Sequence, residues 1–162
     1  MKPHIGMLFG ALALIPSSGI AAEAQVHACT LLTADEIGSA VSGVSGQVES
    51  NMPWSICTWI VGARDTVSLS VIAVPQDAQP DPVLADLDER LKAAGFYDDT
   101  RDIGNAKCFT RTQPPPTDIR QTSGCTAVTK GKMILLDSES PTKPAAMEQL
   151  KVLLDKAIAR LP

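Results

Sequence analysis

The chain has 162 residues, of which 20% are charged, and its formal net charge is −4. This length suits one domain that can bury a core of its own. The mild acidity and the lack of basic clusters argue against nucleic acid as a partner.

The first 24 residues have the three zones of a secretory signal peptide. A basic start is followed by an apolar run over residues 5–15 and by small residues up to Ala24. The apolar run is too short for a membrane helix, which takes about 20 residues. We expect cleavage after Ala24, or alternatively after Ala22, so that 1–24 is removed. Residues 25–162 then form a single disulfide-stabilised domain, periplasmic or secreted, without a transmembrane segment.

All four cysteines lie in this mature part, at Cys29, Cys57, Cys108 and Cys125. An even number of cysteines in an exported chain predicts disulfides. Four cysteines permit three pairings, and their order along the chain favours Cys29 with Cys57 and Cys108 with Cys125. Zinc is the competing interpretation, but no Cys-x-x-Cys pair occurs. We expect two disulfides, with no metal and no cofactor.

A first helix is predicted to begin after Thr33. Thr33 is a suitable N-cap, and Glu36 three residues later completes a capping box. Leu32 and Ile37 form a hydrophobic staple across the cap. Gly43 is a plausible end of this short helix.

Strands follow the first helix. Residues 55–61 are rich in β-branched and aromatic side chains, and residues 66–74 alternate apolar with polar positions. Residues 62–65 supply a hairpin turn, and a weaker strand is predicted around 47–50.

A second amphipathic helix is predicted between two breaks in the pattern. Asp81 and Pro82 provide a cap and a first-turn proline, and Gly95 ends the helix. Three further strands are predicted at residues 106–111, 122–129 and 132–137.

The C-terminal helix has the clearest periodicity. After a loop over residues 138–144, apolar residues recur at core spacing, namely Met147, Leu150, Val152, Leu153, Leu154, Ala157, Ile158 and Leu161. The order of elements predicts an α+β fold, with an antiparallel sheet of five to six strands and two to three packed helices. In chain order this reads α-β-β-(β)-α-β-β-β-α.

Few residues offer catalytic chemistry. The mature chain contains one histidine, His27, which makes Ser-His and Cys-His mechanisms improbable. The densest group of carboxylates is Asp98, Asp99 and Asp102. A solvated loop is the simpler interpretation of this group, and a glycosidase-type acid pair is the alternative. No catalytic residue is assigned.

Tryptophans and prolines are the candidates for a contact surface. Trp59 lies two residues beyond Cys57, hence on the same strand face, and is expected to pack in the core against the disulfide. Trp54 lies in a predicted turn, where core burial and exposure are both open. Pro114, Pro115 and Pro116 stiffen a loop or display a polyproline segment. The candidate surface consists of Trp54 with this triple proline.

The sequence at the start of the mature chain resembles that of a known group of proteins. Residues 29–43 read C-T-L-L-T-A-D-E-I-G-S-A-V-S-G, and C-T-W follows at residues 57–59. This resembles a group of small exported bacterial proteins of unknown function, many of them actinobacterial lipoproteins, with a Cys-x-Leu-Leu-Thr start and a later Cys-x-Trp or Cys-x-Tyr. The resemblance implies an α+β domain and a disulfide between the positions of Cys29 and Cys57. It implies no activity.

This sequence departs from that group in two respects. Cys108 and Cys125 are additional, and no clear acylation cysteine is present. Val26-His27-Ala28-Cys29 is similar to an acylation site, but His27 fits poorly there.

These observations favour a non-catalytic exported binding module for a protein or a small ligand of the cell envelope. A carboxylate-dependent hydrolase or lyase of the envelope is the alternative. A structural component of an envelope assembly is a third possibility.

Overall fold

The computed structural model describes residues 25–51, 54–93, 99–112 and 120–162, without the side chains of Leu87 and Leu91. A 3-10 turn η1 (Ala28–Thr30) precedes helix α1 (Ala34–Ala40). Three strands follow, β1 (Val44–Ser50), β2 (Ser55–Val61) and β3 (Asp65–Ala73), and then helix α2 (Pro80–Ala93). The second half contains β4 (Asp99–Ile103), β5 (Ala106–Thr112), β6 (Gln121–Thr129), β7 (Lys132–Ser140) and helix α3 (Met147–Ala159).

All seven described strands form one antiparallel sheet in the order β1-β2-β3-β7-β6-β5-β4. Two meanders, β1 to β3 and β4 to β7, therefore meet where β3 pairs with β7, with Leu69 opposite Leu136. We call this junction the seam. The hairpin from β6 to β7 turns at Lys130 and Gly131, whose φ angles of 49° and 65° are the left-handed pair that a tight two-residue turn requires.

The two faces of the sheet differ in what covers them. On the core face, strand side chains such as Trp59, Leu69 and Leu136 are buried, where η1 and α3 contact the strands. Thr122 and Thr126 of β6 point to the opposite face and are also buried. Since α2 contacts β6, it covers this opposite face, which we call the α2 face.

The core forms as the C-terminal helix pattern predicts, with one exception. Leu150, Leu153 and Leu154 of α3 are at most 2% exposed. Val152 was expected in the core, but it is 58% exposed. Its position falls outside the stripe that packs on the sheet, because successive residues turn by about 100° around a helix.

The strand count of five to six was too low. β4 was not predicted as a strand because its sequence Asp-Thr-Arg-Asp-Ile carries three charges. Charged side chains are tolerated there because β4 is an edge strand with solvent on one side. β7 also continues to Ser140, beyond the predicted end at residue 137, so the predicted loop over residues 138–144 is shorter than expected.

Two disulfides join Cys29 to Cys57 and Cys108 to Cys125, as the cysteine order favoured. The first attaches the segment before α1 to β2. The second links directly opposed residues of β5 and β6. Each disulfide therefore lies within one half of the chain.

The capping box of α1 forms as predicted, with the Glu36 N–H donating to Thr33 Oγ1 and the Thr33 N–H donating to the Glu36 carboxylate. None of the described helices is both long and apolar enough to cross a bilayer.

Candidate functional site

A cleft of about 320 Å³ opens on the core face, at the end of the sheet where β7 runs into α3. The end of α1 forms one wall, and the turn between β2 and β3 forms another. The segment that leads into α3 closes the third side. Residues that line the cleft include Val41, Ser42, Asp65, Val67, Lys143 and Gln149. Its volume lies at the lower end of the range of small-ligand pockets, about 300–1,000 Å³.

Buried serines hold the segment between β7 and α3 in place. Ser138 Oγ accepts from the Ala145 N–H at 3.1 Å, and Ser140 Oγ accepts from the N–H groups of Thr142 and Lys143, each at 3.1 Å. Ser123 Oγ donates to the Ala145 carbonyl oxygen at 2.8 Å. Ser138 and Ser140 accept hydrogen bonds from the backbone N–H groups of this segment. The segment is therefore held in place without a ligand, and the wall of the cleft is preformed.

The α1 wall is attached to α3 by a bidentate ion pair. Arg160 donates to both carboxylate oxygens of Glu36, at 2.7 and 2.8 Å, and also to the Leu31 carbonyl oxygen at 2.8 Å. The Arg160 hydrogen bonds, together with the Thr33 N–H, lower the pKa of Glu36 to about 2. Glu36 therefore stays ionised across the physiological pH range.

A second polar region lies on the α2 face. Asp137 and Glu139 of β7, Thr122 of β6 and Arg111 of β5 share this face. The contacts between the charged groups are long, with Arg111 Nη2 3.8 Å from Glu139 Oε1. Within the described residues, five buried side-chain atoms have no hydrogen-bond partner, namely Asp88 Oδ1, Thr100 Oγ1, Arg111 Nε, Thr122 Oγ1 and Thr126 Oγ1. The four that belong to strands all point to the α2 face.

Asp137 is the most perturbed carboxyl of this region. A Cβ atom built on the neighbouring Gly124 would lie 2.6 Å from the Phe109 ring and 3.2 Å from Asp137 Cβ, so the ring covers the glycine beside Asp137. The pKa of Asp137 is raised to about 7, first by burial and then by the charge of Glu139, against the opposing effect of Arg111.

Asp137→Asn is expected to stabilise the protein in a pH-dependent manner. Because the pKa of Asp137 is higher in the folded state than in the unfolded state, the free energy of unfolding falls as pH rises from about 4 to about 7. Asparagine carries no charge, so the free energy of unfolding of the variant does not fall for this reason as pH rises. Since Asp137 keeps part of its surface exposed, we expect a gain of about 1–3 kcal/mol above pH 7.

Urea unfolding of both proteins at pH 4 and pH 8 measures this effect. The exposed Asp77→Asn variant is the control, and its difference from wild type should be the same at both pH values. An Asp137→Asn difference that does not grow between pH 4 and pH 8 would contradict a raised pKa.

Of the predicted contact residues, the structure describes only Trp54. Trp54 is 41% exposed and precedes β2 at the end of the sheet where Ser55 pairs with Val71. Pro114, Pro115 and Pro116 lie outside the described residues. Trp59 is fully buried, as expected.

Two members of the predicted carboxylate group, Asp99 and Asp102, are described. Asp99 and Asp102 are exposed and lie on opposite faces of β4, because they are three residues apart in a strand. Asp98 lies outside the described residues. His27 lies on the surface, with Nδ1 3.1 Å from Glu49 Oε1. In the described part of the chain, no three His, Cys, Asp or Glu side chains come together as a metal site would require.

Besides Trp54, three large apolar side chains are exposed in the part of the chain that the structure describes. Val48 and Ile60 are 57% and 38% exposed and lie on the α2 face of β1 and β2, beyond the strand that α2 contacts. Val152 is on α3, on the other side of the sheet.

Sequence patterns did not reveal the cleft. One signal was present, since Ser138 and Ser140 continue the inward-facing alternation of Ile134 and Leu136 with polar residues. Buried serines at such positions have backbone partners to satisfy, and here these partners belong to the wall of the cleft.

Comparison of the chain with protein-family models, with curated proteins and with solved structures finds no match. The residues that line the cleft are therefore the basis for assigning a function.

Proposed function

We propose that this chain is an exported, non-catalytic binding domain that holds a small ligand in the cleft between α1, the β2–β3 turn and the start of α3. The observation that carries the proposal is the cleft itself. Its volume of about 320 Å³ suits a small molecule, and its walls are fixed by Ser138, Ser140 and the Glu36–Arg160 pair.

The disulfides support a location outside the cytoplasm. Disulfides persist in oxidising compartments such as the periplasm and the extracellular space. Both pairs have disulfide geometry here. A signal peptide over residues 1–24 remains part of the proposal.

The composition of the cleft favours binding over hydrolysis. Acid–base hydrolysis by carboxylates uses two of them across the scissile bond. Asp65 is the one carboxylate among the residues that line the cleft, and no histidine lines it. The alternative of a hydrolase at Asp99 and Asp102 would require two side chains on opposite faces of β4 to act together.

The experiment is a binding screen with a blocked variant. Four classes of probe, free amino acids, monocarboxylates, alkyl amines and monosaccharides, are added at millimolar concentration to the isotope-labelled mature chain. We expect one class to shift the backbone amide resonances of residues that line the cleft. In Ser42→Trp, the indole enters the cleft from an exposed position, and these shifts should be lost.

Ala159→Trp is the matched control, because it places the same side chain at an exposed position near the end of α3. It should bind as wild type does. Ala146→Trp is a second blocking variant if Ser42→Trp is unfolded. The proposal fails if no class shifts the cleft resonances, or if the shifts survive in both blocked variants.

A further inference from the structure

The cleft carries one ionisable side chain of each sign. Asp65 lies at the start of β3, and Lys143 lies in the segment between β7 and α3. They are the charged residues among those that line the cleft. Neither forms an ion pair or a side-chain hydrogen bond within the described residues, so their charged groups do not neutralise each other.

The unpaired state of Lys143 distinguishes it from the other described lysines. Lys107 pairs with Asp102, Lys151 with Asp155 and Lys156 with Glu36. The remaining described lysines, Lys92, Lys130 and Lys132, also have partners. Lys143 is thus a cation without a partner among the described residues, and it lies at the rim of a preformed cleft.

The surroundings of Lys143 add to its positive potential. Ala146 of the cleft is the N-cap of α3 and Gln149 lies in its first turn, and the N-terminal end of a helix carries a partial positive charge. This side of the cleft therefore favours a carboxylate. The Asp65 side favours a cation, since an anion there would meet a like charge.

Apolar side chains also line the cleft. Val41, Val61 and Val67 line the cleft, together with Pro144. A ligand with a short apolar part would bury it against them. A ligand with only one charge would leave either Asp65 or Lys143 without a partner.

We propose that the ligand is a small zwitterion of the amino-acid type, with its ammonium group on Asp65, its carboxylate on Lys143 and a short aliphatic side chain on the valines. This inference rests on the proposed function, and it names the ligand class of the same cleft.

The test compares L-valine with two derivatives that each lack one charge. Valine methyl ester keeps the ammonium group, and N-acetylvaline keeps the carboxylate. Because each derivative loses one charge-assisted hydrogen bond to the cleft, we expect each to bind at least about tenfold more weakly than valine. Amide shifts of the mature chain give the affinity and the location.

Charge-removing variants assign each end of the ligand. Lys143→Met should lower valine affinity about tenfold or more and leave the affinity for the methyl ester unchanged. Asp65→Asn should do the same for valine and leave N-acetylvaline unchanged. Lys132→Met, at the other end of β7, and the loop variant Asp77→Asn remove the same charges elsewhere and should bind valine as wild type does.

The outcomes separate the two proposals. If valine and the two derivatives bind equally, or if another probe class shifts the cleft resonances while amino acids do not, the zwitterion inference is wrong and the binding function stands. If no probe class reaches the cleft, both are wrong. Loss of valine binding in Lys132→Met or Asp77→Asn to the same extent would also overturn the assignment.

Discussion

Trp59→Ala is expected to lower the free energy of unfolding by about 3–5 kcal/mol, the usual range for truncating a large buried aromatic side chain. Trp59 is fully buried in the core face of β2, where it is opposite Val67 of β3. Its Nε1 also donates to Gln47 Oε1 of β1 at 3.1 Å. The substitution therefore leaves a cavity at the centre of the first meander and an unpaired glutamine. Urea unfolding followed by circular dichroism measures the loss.

Trp59→Phe is a milder variant that keeps an aromatic ring but not the donor. It should lose less, about 1–2 kcal/mol, because most of the buried area remains. If Trp59→Ala is too unstable to purify, this variant still tests the role of the ring. A change below about 0.5 kcal/mol for either variant, the level of an ordinary surface substitution, would contradict a core position.

Replacing both Cys29 and Cys57 by alanine is expected to cost about 2–4 kcal/mol. The disulfide attaches η1 to β2, where the Ala28 N–H donates to Ser55 Oγ at 2.8 Å and Leu31 and Leu32 are buried. Without it, the chain between residues 29 and 57 gains freedom in the unfolded state, which lowers the free energy of unfolding. Denaturant unfolding under non-reducing conditions measures the cost.

The Cys108→Ala/Cys125→Ala variant is the matched comparison. Its loop is shorter, with a sequence separation of 17 against 28, and loop entropy makes its contribution smaller by about half a kcal/mol. Backbone hydrogen bonds keep β5 and β6 paired after its removal. A larger loss for this second pair than for Cys29–Cys57 would show that loop entropy does not set the order.

Most of the fold could be predicted from features of residues that are close together in the sequence. The Thr33 capping box and the alternation in β3 depend on residues close in sequence, and both formed as expected. β4 and Val152 depend on position in the tertiary structure. The charged strand β4 is tolerated because it lies at the edge of the sheet. Val152 is exposed because it lies beside the face of α3 that packs on the sheet.

The candidate site could not be predicted from the sequence, because it depends on residues that are far apart in the chain. Asp65 and Lys143 are almost 80 residues apart in the sequence and line one cleft because the seam pairs β3 with β7. The raised pKa of Asp137 likewise depends on a ring from β5 that covers a glycine of β6. Neither juxtaposition leaves a periodic pattern in the sequence.

The seam also determines when the sheet of this protein can form completely. β3 remains an open sheet edge until β7, nearly the last element of the chain, has been delivered. The cysteines, by contrast, pair with their neighbours in sequence, Cys29 with Cys57 and Cys108 with Cys125. Pairing in the order of synthesis would therefore give the native connectivity, whereas the contact between β3 and β7 joins residues far apart in the chain, which is the kind of contact that slows folding.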